Sequence, residues 1–230
     1  MTPLGFKKIQ EKVTQICEKT GRDPNDVAIL GASKGQSPDI INRVIREGLT
    51  AIGENYYQEF RDKKDSLIPG VSFHYIGHLQ SSKISGIVKL FDCIETVNKL
   101  KHLRKINNAA KNQKKKINLL IEINIGHEPS KSGVLPSELF SLLEEIESIK
   151  IEFSNCNFGG FMTMGTLGLT HKDKLDEFNS FRALCEQCFS QYQVFTGRVM
   201  SFGMSDDFEL AIEAGSTEIR IGTLLFGLRP

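Results

Sequence analysis

Eight short apolar, β-rich runs recur along the chain, and amphipathic stretches separate them. This alternation constrains the fold, because a strand that returns parallel to its predecessor needs a crossover of about a dozen residues or more. Continuous apolar runs such as NLLIEINI suit a sheet that is covered on both faces. The predicted strands lie at 27–33, 50–54, 72–77, 91–96, 117–125, 157–163, 198–203 and 217–222.

The number of strand–helix units favours a closed barrel over an open doubly wound sheet. Eight units fit the 230 residues of the chain. An open sheet usually carries the phosphate fingerprint GxGxxG after its first strand, and GASKGQSP does not match it. The sequence contains neither a repeat nor a linker rich in Pro, Gly or Ser. We therefore expect one α/β domain over residues 1–230, a (β/α)8 TIM-type barrel with an extra N-terminal helix.

The charge balance and the cysteines argue against several classes of protein. Lys and Arg number 29 and Asp and Glu number 28, which disfavours a nucleic-acid groove. No apolar run approaches the roughly 20 residues that span a bilayer. The five cysteines are irregularly spaced, so we expect a reducing, cytoplasmic location. We interpret the CxxC at Cys185 and Cys188 as two small residues on a helix rather than as a metal or redox motif.

Lys34 follows the first predicted strand, where a barrel gathers its functional residues. A lysine that faces an enclosed mouth loses hydration, which favours the neutral, nucleophilic amine. Such an amine forms a Schiff base with an aldehyde. A loop lysine in an ordinary ion pair is the alternative, and Lys34 alone does not decide between them.

The loops after the last two predicted strands, SFGMSDD and IRIGTLLFG, have the composition of a phosphate site. Barrels often bind phosphate with these two loops and the N-terminus of a following helix. Gly222 allows close approach of the backbone, and Ser201, Ser205 and Thr223 offer hydroxyl groups. Together with Lys34, these loops predict an aldehyde ligand that carries a phosphate. Pyridoxal 5′-phosphate (PLP) and the substrate of a Schiff-base aldolase both satisfy this description.

Seven motifs, in order from about residue 25 to the end of the chain, carry a family resemblance. They are GASK at the first strand, IGENYYQEF (52–60), FHYIGHLQSSK (73–83), LIEINIGHEPSKSG (120–133), GGFMTMG (159–165), SFGMSDDFELAIEAGST (201–217) and IRIGTLLFG (219–227). With these motifs the chain resembles the pyridoxal-phosphate homeostasis protein family, which is similar to the N-terminal barrel of alanine racemase.

The resemblance implies a barrel that holds PLP as a Schiff base on a lysine. Lys131 matches a further family lysine near the mouth, with an undefined role. Carried over position by position, the resemblance gives eight cofactor-binding residues: Lys34 for the Schiff base, Asn55 and Met162 against the ring, Arg220 at the pyridine nitrogen, and Ser201, Met204, Gly222 and Thr223 around the phosphate.

The resemblance also implies a carrier of PLP rather than an efficient enzyme. Arg220 would stay protonated and could only donate to the pyridine nitrogen, so the ring would be a weak electron sink. The chain ends soon after the barrel closes, so we expect a monomer without the second domain that gives alanine racemase its other base. We expect intracellular PLP homeostasis, by buffering or by delivery to PLP-dependent apoenzymes. A PLP-dependent amino-acid racemase is the alternative.

Overall fold

A computed structural model describes residues 3–228 of the chain, and within them eight parallel strands form a closed barrel. The strands pair in sequence order, and the last pairs with the first. The predicted TIM-type barrel is therefore confirmed. The strands are β1 (Ala28–Ala32), β2 (Ala51–Glu54), β3 (Ser72–Tyr75), β4 (Cys93–Val97), β5 (Ile117–Ile123), β6 (Cys156–Thr163), β7 (Phe195–Met204) and β8 (Glu218–Ile221).

Helices connect the strands and cover the outside of the barrel. An additional helix precedes β1, as the sequence predicts. No helix within residues 3–228 combines the length and the apolar character needed to cross a membrane. The helices are α1 (Phe6–Thr20), α2 (Pro38–Arg46), α3 (Tyr57–Lys63), α4 (Ile84–Leu90), α5 (Leu100–Asn112), α6 (Pro136–Ser148), α7 (His171–Gln191), α8 (Phe208–Glu213) and α9 (Thr223–Phe226).

Helix α2 illustrates how the sequence fixes these elements. Pro38 occupies the first turn, where its fixed φ suits the helix and its missing N–H needs no partner. Ile41, Val44 and Ile45 recur at helical spacing and are buried against the barrel. Arg46 ends the helix on the side where a positive charge complements the dipole.

Strand β7 is longer than the predicted run 198–203, because it begins at Phe195. The ring of Phe195 packs against those of Phe161 and Phe189, at centroid distances of 4.8 and 5.2 Å. Partly buried and exposed residues alternate in this first half of the strand, so no continuous apolar run marks it. The pairing of β7 with β6 also shifts register between Phe158 and Gly160.

Most of the apolar core lies between the strands and the helices, whereas the inside of the barrel holds many polar groups. Cys185 and Cys188 are fully buried free thiols on α7, which agrees with their interpretation as core residues. The polar groups that β2, β4, β5, β7 and β8 bury include Glu54, Glu95, Glu122, Ser201, Glu218 and Arg220. Contacts among Glu95, Ser201 and Arg220 join part of this polar set inside the barrel.

Candidate functional site

A cavity of about 200 Å³ opens where the carboxyl ends of β1, β7 and β8 meet. This is the end of a barrel at which active sites form. The structure brings five of the eight predicted residues into the cavity wall. The full lining is Ala32, Lys34, Gln36, Met204, Ser205, Asp206, Arg220, Gly222, Thr223 and Gly227.

Lys34 lies in a tight turn immediately after β1, and its side chain is half-buried. The N–H of Gln36 donates to the carbonyl of Ser33 at 3.0 Å, which closes the turn. Gly35 adopts φ 72°, a conformation that glycine tolerates better than other residues. This turn therefore fixes the path of the backbone that carries Lys34.

A second lysine, Lys63, forms hydrogen bonds with the backbone of this turn. Its side chain is only 9 % exposed, and it comes from the last turn of α3. Its ammonium donates to the carbonyl of Ser33 at 3.2 Å and to that of Gln36 at 3.3 Å. Because these carbonyls flank Lys34 on both sides, one buried cation fixes the backbone that carries the candidate nucleophile.

Two carboxylates, those of Glu54 and Glu59, pair with Lys63, and we call these three side chains the Lys63 clamp. Glu54 Oε1 lies 2.6 Å from Lys63 Nζ and accepts a 2.5 Å hydrogen bond from the hydroxyl of Ser33. Glu59 pairs with the same ammonium at 2.8 Å and accepts the N–H of Gly35 at 2.8 Å. Burial raises the pKa of Glu54, and the neighbouring Lys63 opposes that shift. Sequence reasoning missed the clamp, although the i,i+4 spacing of Glu59 and Lys63 on one helix is a signal.

Arg220 forms the floor of the cavity and is 5 % exposed. Its Nη1 donates to Ser201 Oγ at 2.7 Å, and its Nη2 donates to the carbonyl of Thr163 at 2.7 Å. Ser201 is fully buried, and its hydroxyl donates in turn to Glu95 Oε2 at 2.9 Å. The sequence assigned Ser201 to the phosphate, and that assignment stays a prediction; in the structure its hydroxyl contacts Arg220 and Glu95.

The loops after β7 and β8 meet at Ser205. Its Oγ accepts the N–H of Gly222 at 3.2 Å and that of Leu224 at 3.5 Å. The turn that presents Ser205 is held by Asp207, whose Oδ1 accepts the N–H of Met204 at 2.7 Å. A serine oxygen thus accepts two N–H groups of the last loop and joins that loop to the one after β7. The sequence points to Ser205 as one of three hydroxyls but does not single it out.

Asn55, Met162 and Lys131 lie outside the lining of this cavity. Asn55 follows β2, and its buried Oδ1 has no hydrogen-bond partner among residues 3–228. Met162 is buried within the barrel. Lys131 pairs with Glu128 at 2.5 Å and donates to the carbonyl of Gly165 at 3.1 Å. The predicted ring contacts of Asn55 and Met162 stay predictions.

Comparisons with known proteins agree with the fold. The family model of the alanine racemase N-terminal domain matches residues 8–230. A pyridoxal phosphate homeostasis protein of Aquifex aeolicus is 34% identical over 225 residues, which cover 97% of this chain and 96% of that protein. The human protein of the same name is 32% identical over 239 residues, covering 97% of this chain and 85% of its own length.

A solved structure extends the comparison to three dimensions. The PipY protein of Synechococcus elongatus, solved with PLP bound, superposes with a TM-score of 0.80 at 25% sequence identity. The match covers 95% of this chain and 100% of that one. The family model and the near-full-length relatives above 30% identity lead to one assignment. The chain belongs to the pyridoxal phosphate homeostasis protein family.

Proposed function

We propose that this protein binds PLP at the carboxyl-terminal mouth of its barrel, as a Schiff base on Lys34, and acts in intracellular PLP homeostasis. The observation that carries the proposal is that Lys34 shares one cavity with Arg220 and with the loops that follow β7 and β8. An amine and a set of anion-binding groups thereby face the same space of about 200 Å³. PLP carries the two matching groups, an aldehyde and a phosphate.

The residues present fit this cofactor. Ser205 and Thr223 offer hydroxyls in the same cavity lining as Lys34, and Gly222, whose N–H donates to Ser205, lies beside them. The buried Oδ1 of Asn55 lacks a partner within the described chain, and a buried amide oxygen is normally hydrogen-bonded. A ligand that brings a hydrogen-bond donor close to Asn55 would satisfy this oxygen.

Two aspartates in the loop after β7, Asp206 and Asp207, do not prevent an anion from binding beside Ser205 and Thr223. Asp206 lines the cavity but is exposed to solvent, which screens its charge. The carboxylate of Asp207 accepts the N–H of Met204 and lies 3.5 Å from Lys174. We therefore propose Ser205, Met204, Gly222 and Thr223 as the phosphate-binding residues, and Ser201 as a positioning residue for Arg220.

When bound, PLP supplies an aldehyde that condenses with amines and a ring that delocalises negative charge. The residues of this chain restrain the second property. Arg220 is an obligate hydrogen-bond donor whose guanidinium is fixed by Ser201 and Thr163. It can hold the ring nitrogen but cannot take a proton from it. We propose that the cofactor is held with little or no turnover.

The proton-transfer groups of the cavity support the same proposal. Racemisation of an amino acid needs a base on each face of the α-carbon. In the lining that the structure describes, Lys34 and the exposed Asp206 are the side chains able to accept a proton at neutral pH. A monomeric state, a cytoplasmic location and transfer to PLP-dependent apoenzymes stay predictions.

Borohydride reduction of the PLP-loaded protein, followed by peptide mass spectrometry, tests the Schiff base. We expect a stoichiometric pyridoxyl label on the peptide that contains Lys34, with a visible absorption band that reduction removes. Lys34→Ala should lose this label, whereas Lys83→Ala, which changes a partly exposed lysine that donates to Gln58, should keep it. A wild-type protein labelled mainly at another lysine would contradict the assignment.

A second experiment separates the carrier from the racemase. The PLP-loaded protein is incubated with L-alanine in deuterated buffer, and the α-deuterium content is measured. We expect exchange no faster than with free PLP at the same concentration. Multiple turnovers per protein molecule, lost in Lys34→Ala, would favour the racemase.

A further inference from the structure

The barrel has a second cavity at its opposite, amino-terminal mouth. Its volume is about 270 Å³, and its lining includes His74, Cys93, Asn118, Thr196 and Glu218. Cys93 and Glu218 are the first residues of β4 and β8, so this opening lies at the far end of the strands from Lys34. The proposed PLP site uses none of these side chains.

Two of these side chains, His74 and Cys93, converge with the buried Glu95 because of the strand register. His74 and Cys93 are directly paired between β3 and β4. Glu95 lies two residues after Cys93, so it projects from the same face of β4. An imidazole nitrogen, the thiol sulfur and a carboxylate oxygen of these residues all lie within 4.8 Å of one another. The three donors therefore sit on rigid elements rather than on loops.

Glu218 supplies an independent indication of a missing ligand. It is 6 % exposed, and its Oε1 is buried without a hydrogen-bond partner among the described residues. Its other oxygen, Oε2, lies 3.8 Å from His74 Nδ1. An unpaired buried carboxylate oxygen is costly, and such groups are normally satisfied by a donor or a cation.

We propose that this cavity binds a divalent metal ion of the zinc class through His74, Cys93 and Glu95, with Glu218 as the fourth ligand. Nitrogen, sulfur and oxygen donors together suit zinc, whereas calcium and magnesium require oxygen ligands. Four ligands match the tetrahedral coordination that zinc adopts in closed sites.

Metal binding would rearrange contacts that the structure already contains. His74 Nδ1 and Glu95 Oε1 are 2.7 Å apart and share a proton, which the metal would replace. The Cys93 thiol would also give up its proton, because the thiolate is the ligand form. Glu95 Oε2 would keep the hydrogen bond from Ser201 and so stay oriented.

Titration of the full-length, chelator-treated protein with cobalt(II) alone tests the site. We expect one equivalent to bind with a near-ultraviolet thiolate-to-cobalt band and the visible bands of tetrahedral cobalt, both displaced by zinc(II). Cys93→Ser should lose the thiolate band. Glu218→Gln should weaken cobalt binding by about 10-fold or more, because loss of an outer-shell partner already costs that much metal affinity and Glu218 is a direct ligand.

Cys156→Ser is the matched control, because Cys156 is a buried free thiol at another place in the core. It should retain both the band and the affinity. Circular dichroism establishes which variants are folded, and if Cys93→Ser is not, the comparison of Glu218→Gln with Cys156→Ser decides. The proposal is overturned if the wild type gives no thiolate band, if the band disappears in Cys156→Ser, or if Glu218→Gln binds cobalt as tightly as the wild type.

Discussion

Lys63 Nζ lies 2.6 Å from Glu54 Oε1, and this buried ion pair contacts the turn that carries the candidate nucleophile, Lys34. Exposed ion pairs contribute little to stability, but removal of one partner from a buried pair leaves an uncompensated charge. Here the ammonium also binds the two carbonyls on either side of Lys34. Loss of Lys63 should therefore affect the fold and the site together.

We expect Lys63→Met to lower the free energy of unfolding by about 3 kcal/mol, the scale of a broken buried pair. It should also weaken PLP binding, because the carbonyls of Ser33 and Gln36, on either side of Lys34, lose their hydrogen bonds from Lys63. Urea unfolding and PLP titration measure the two effects. Lys63→Met combined with Glu54→Gln should be more stable than Lys63→Met alone, since the orphaned carboxylate is then neutral.

The matched control for this clamp is Lys12→Met. Lys12 pairs with Glu209 at 2.5 Å, but both side chains are about half exposed. We expect a change in unfolding free energy below about 1 kcal/mol and no change in PLP affinity. Equal losses of stability in Lys12→Met and Lys63→Met would show that burial of the Lys63 pair has no special importance.

The phosphate assignment predicts a difference between two forms of the vitamin. Ser205→Ala and Thr223→Ala each remove a hydroxyl from the wall of the cavity. A hydrogen bond to a charged acceptor contributes about 1.5–3 kcal/mol, so each variant should bind PLP about 10-fold more weakly or worse. Binding of pyridoxal, which lacks the phosphate, should change little. Parallel losses for both compounds would remove the assignment.

Ser201→Ala should behave differently. Its hydroxyl accepts from Arg220 and donates to Glu95, so its loss should disturb the floor of the cavity rather than the phosphate side. We expect weaker binding of PLP and pyridoxal by a similar factor, with a shifted absorption maximum of the bound PLP. A loss confined to PLP would return Ser201 to the phosphate, as the sequence alone predicts.

The contacts of Ser201 with Arg220 and Glu95 show where sequence reasoning stops. The position of Lys34 at the end of β1 follows from a local pattern, in which an apolar run gives way to a turn. Which side chains of β7 face inward does not follow from a local pattern, because the pairing of β7 with β8 shifts register between Ser201 and Met204. A register shift of one residue reverses the face on which each side chain lies.

The Lys63 clamp was not predictable for a second reason. Its contacts to Ser33 and Gln36 span 30 and 27 residues, so no local periodicity encodes them. The barrel interior poses the same difficulty, because Glu95 and Glu218 lie in buried strands where the pattern indicates apolar packing. Only the closed barrel brings these carboxylates to the same axis as Arg220.

Glu122 gives a test of the barrel interior that depends on pH. Burial raises the pKa of Glu122 from 4.5 to about 7, against the opposing hydrogen bond from Asn98. The folded state therefore holds this proton more tightly than the unfolded chain does. Its stabilising effect is complete below pH 4.5 and is lost as the pH rises to about 7.

Glu122→Gln replaces the titrating carboxyl with a neutral group of the same shape. At one pKa unit per 1.36 kcal/mol, the variant should exceed the wild type in stability by on the order of 3 kcal/mol at pH 8. The two proteins should be nearly equal near pH 4.5, which urea unfolding at both pH values measures. Glu138→Gln, at an exposed position in the first turn of α6, should leave the pH dependence of stability unchanged. If the stability of Glu122→Gln falls with pH as steeply as that of the wild type, folding does not raise the pKa of Glu122.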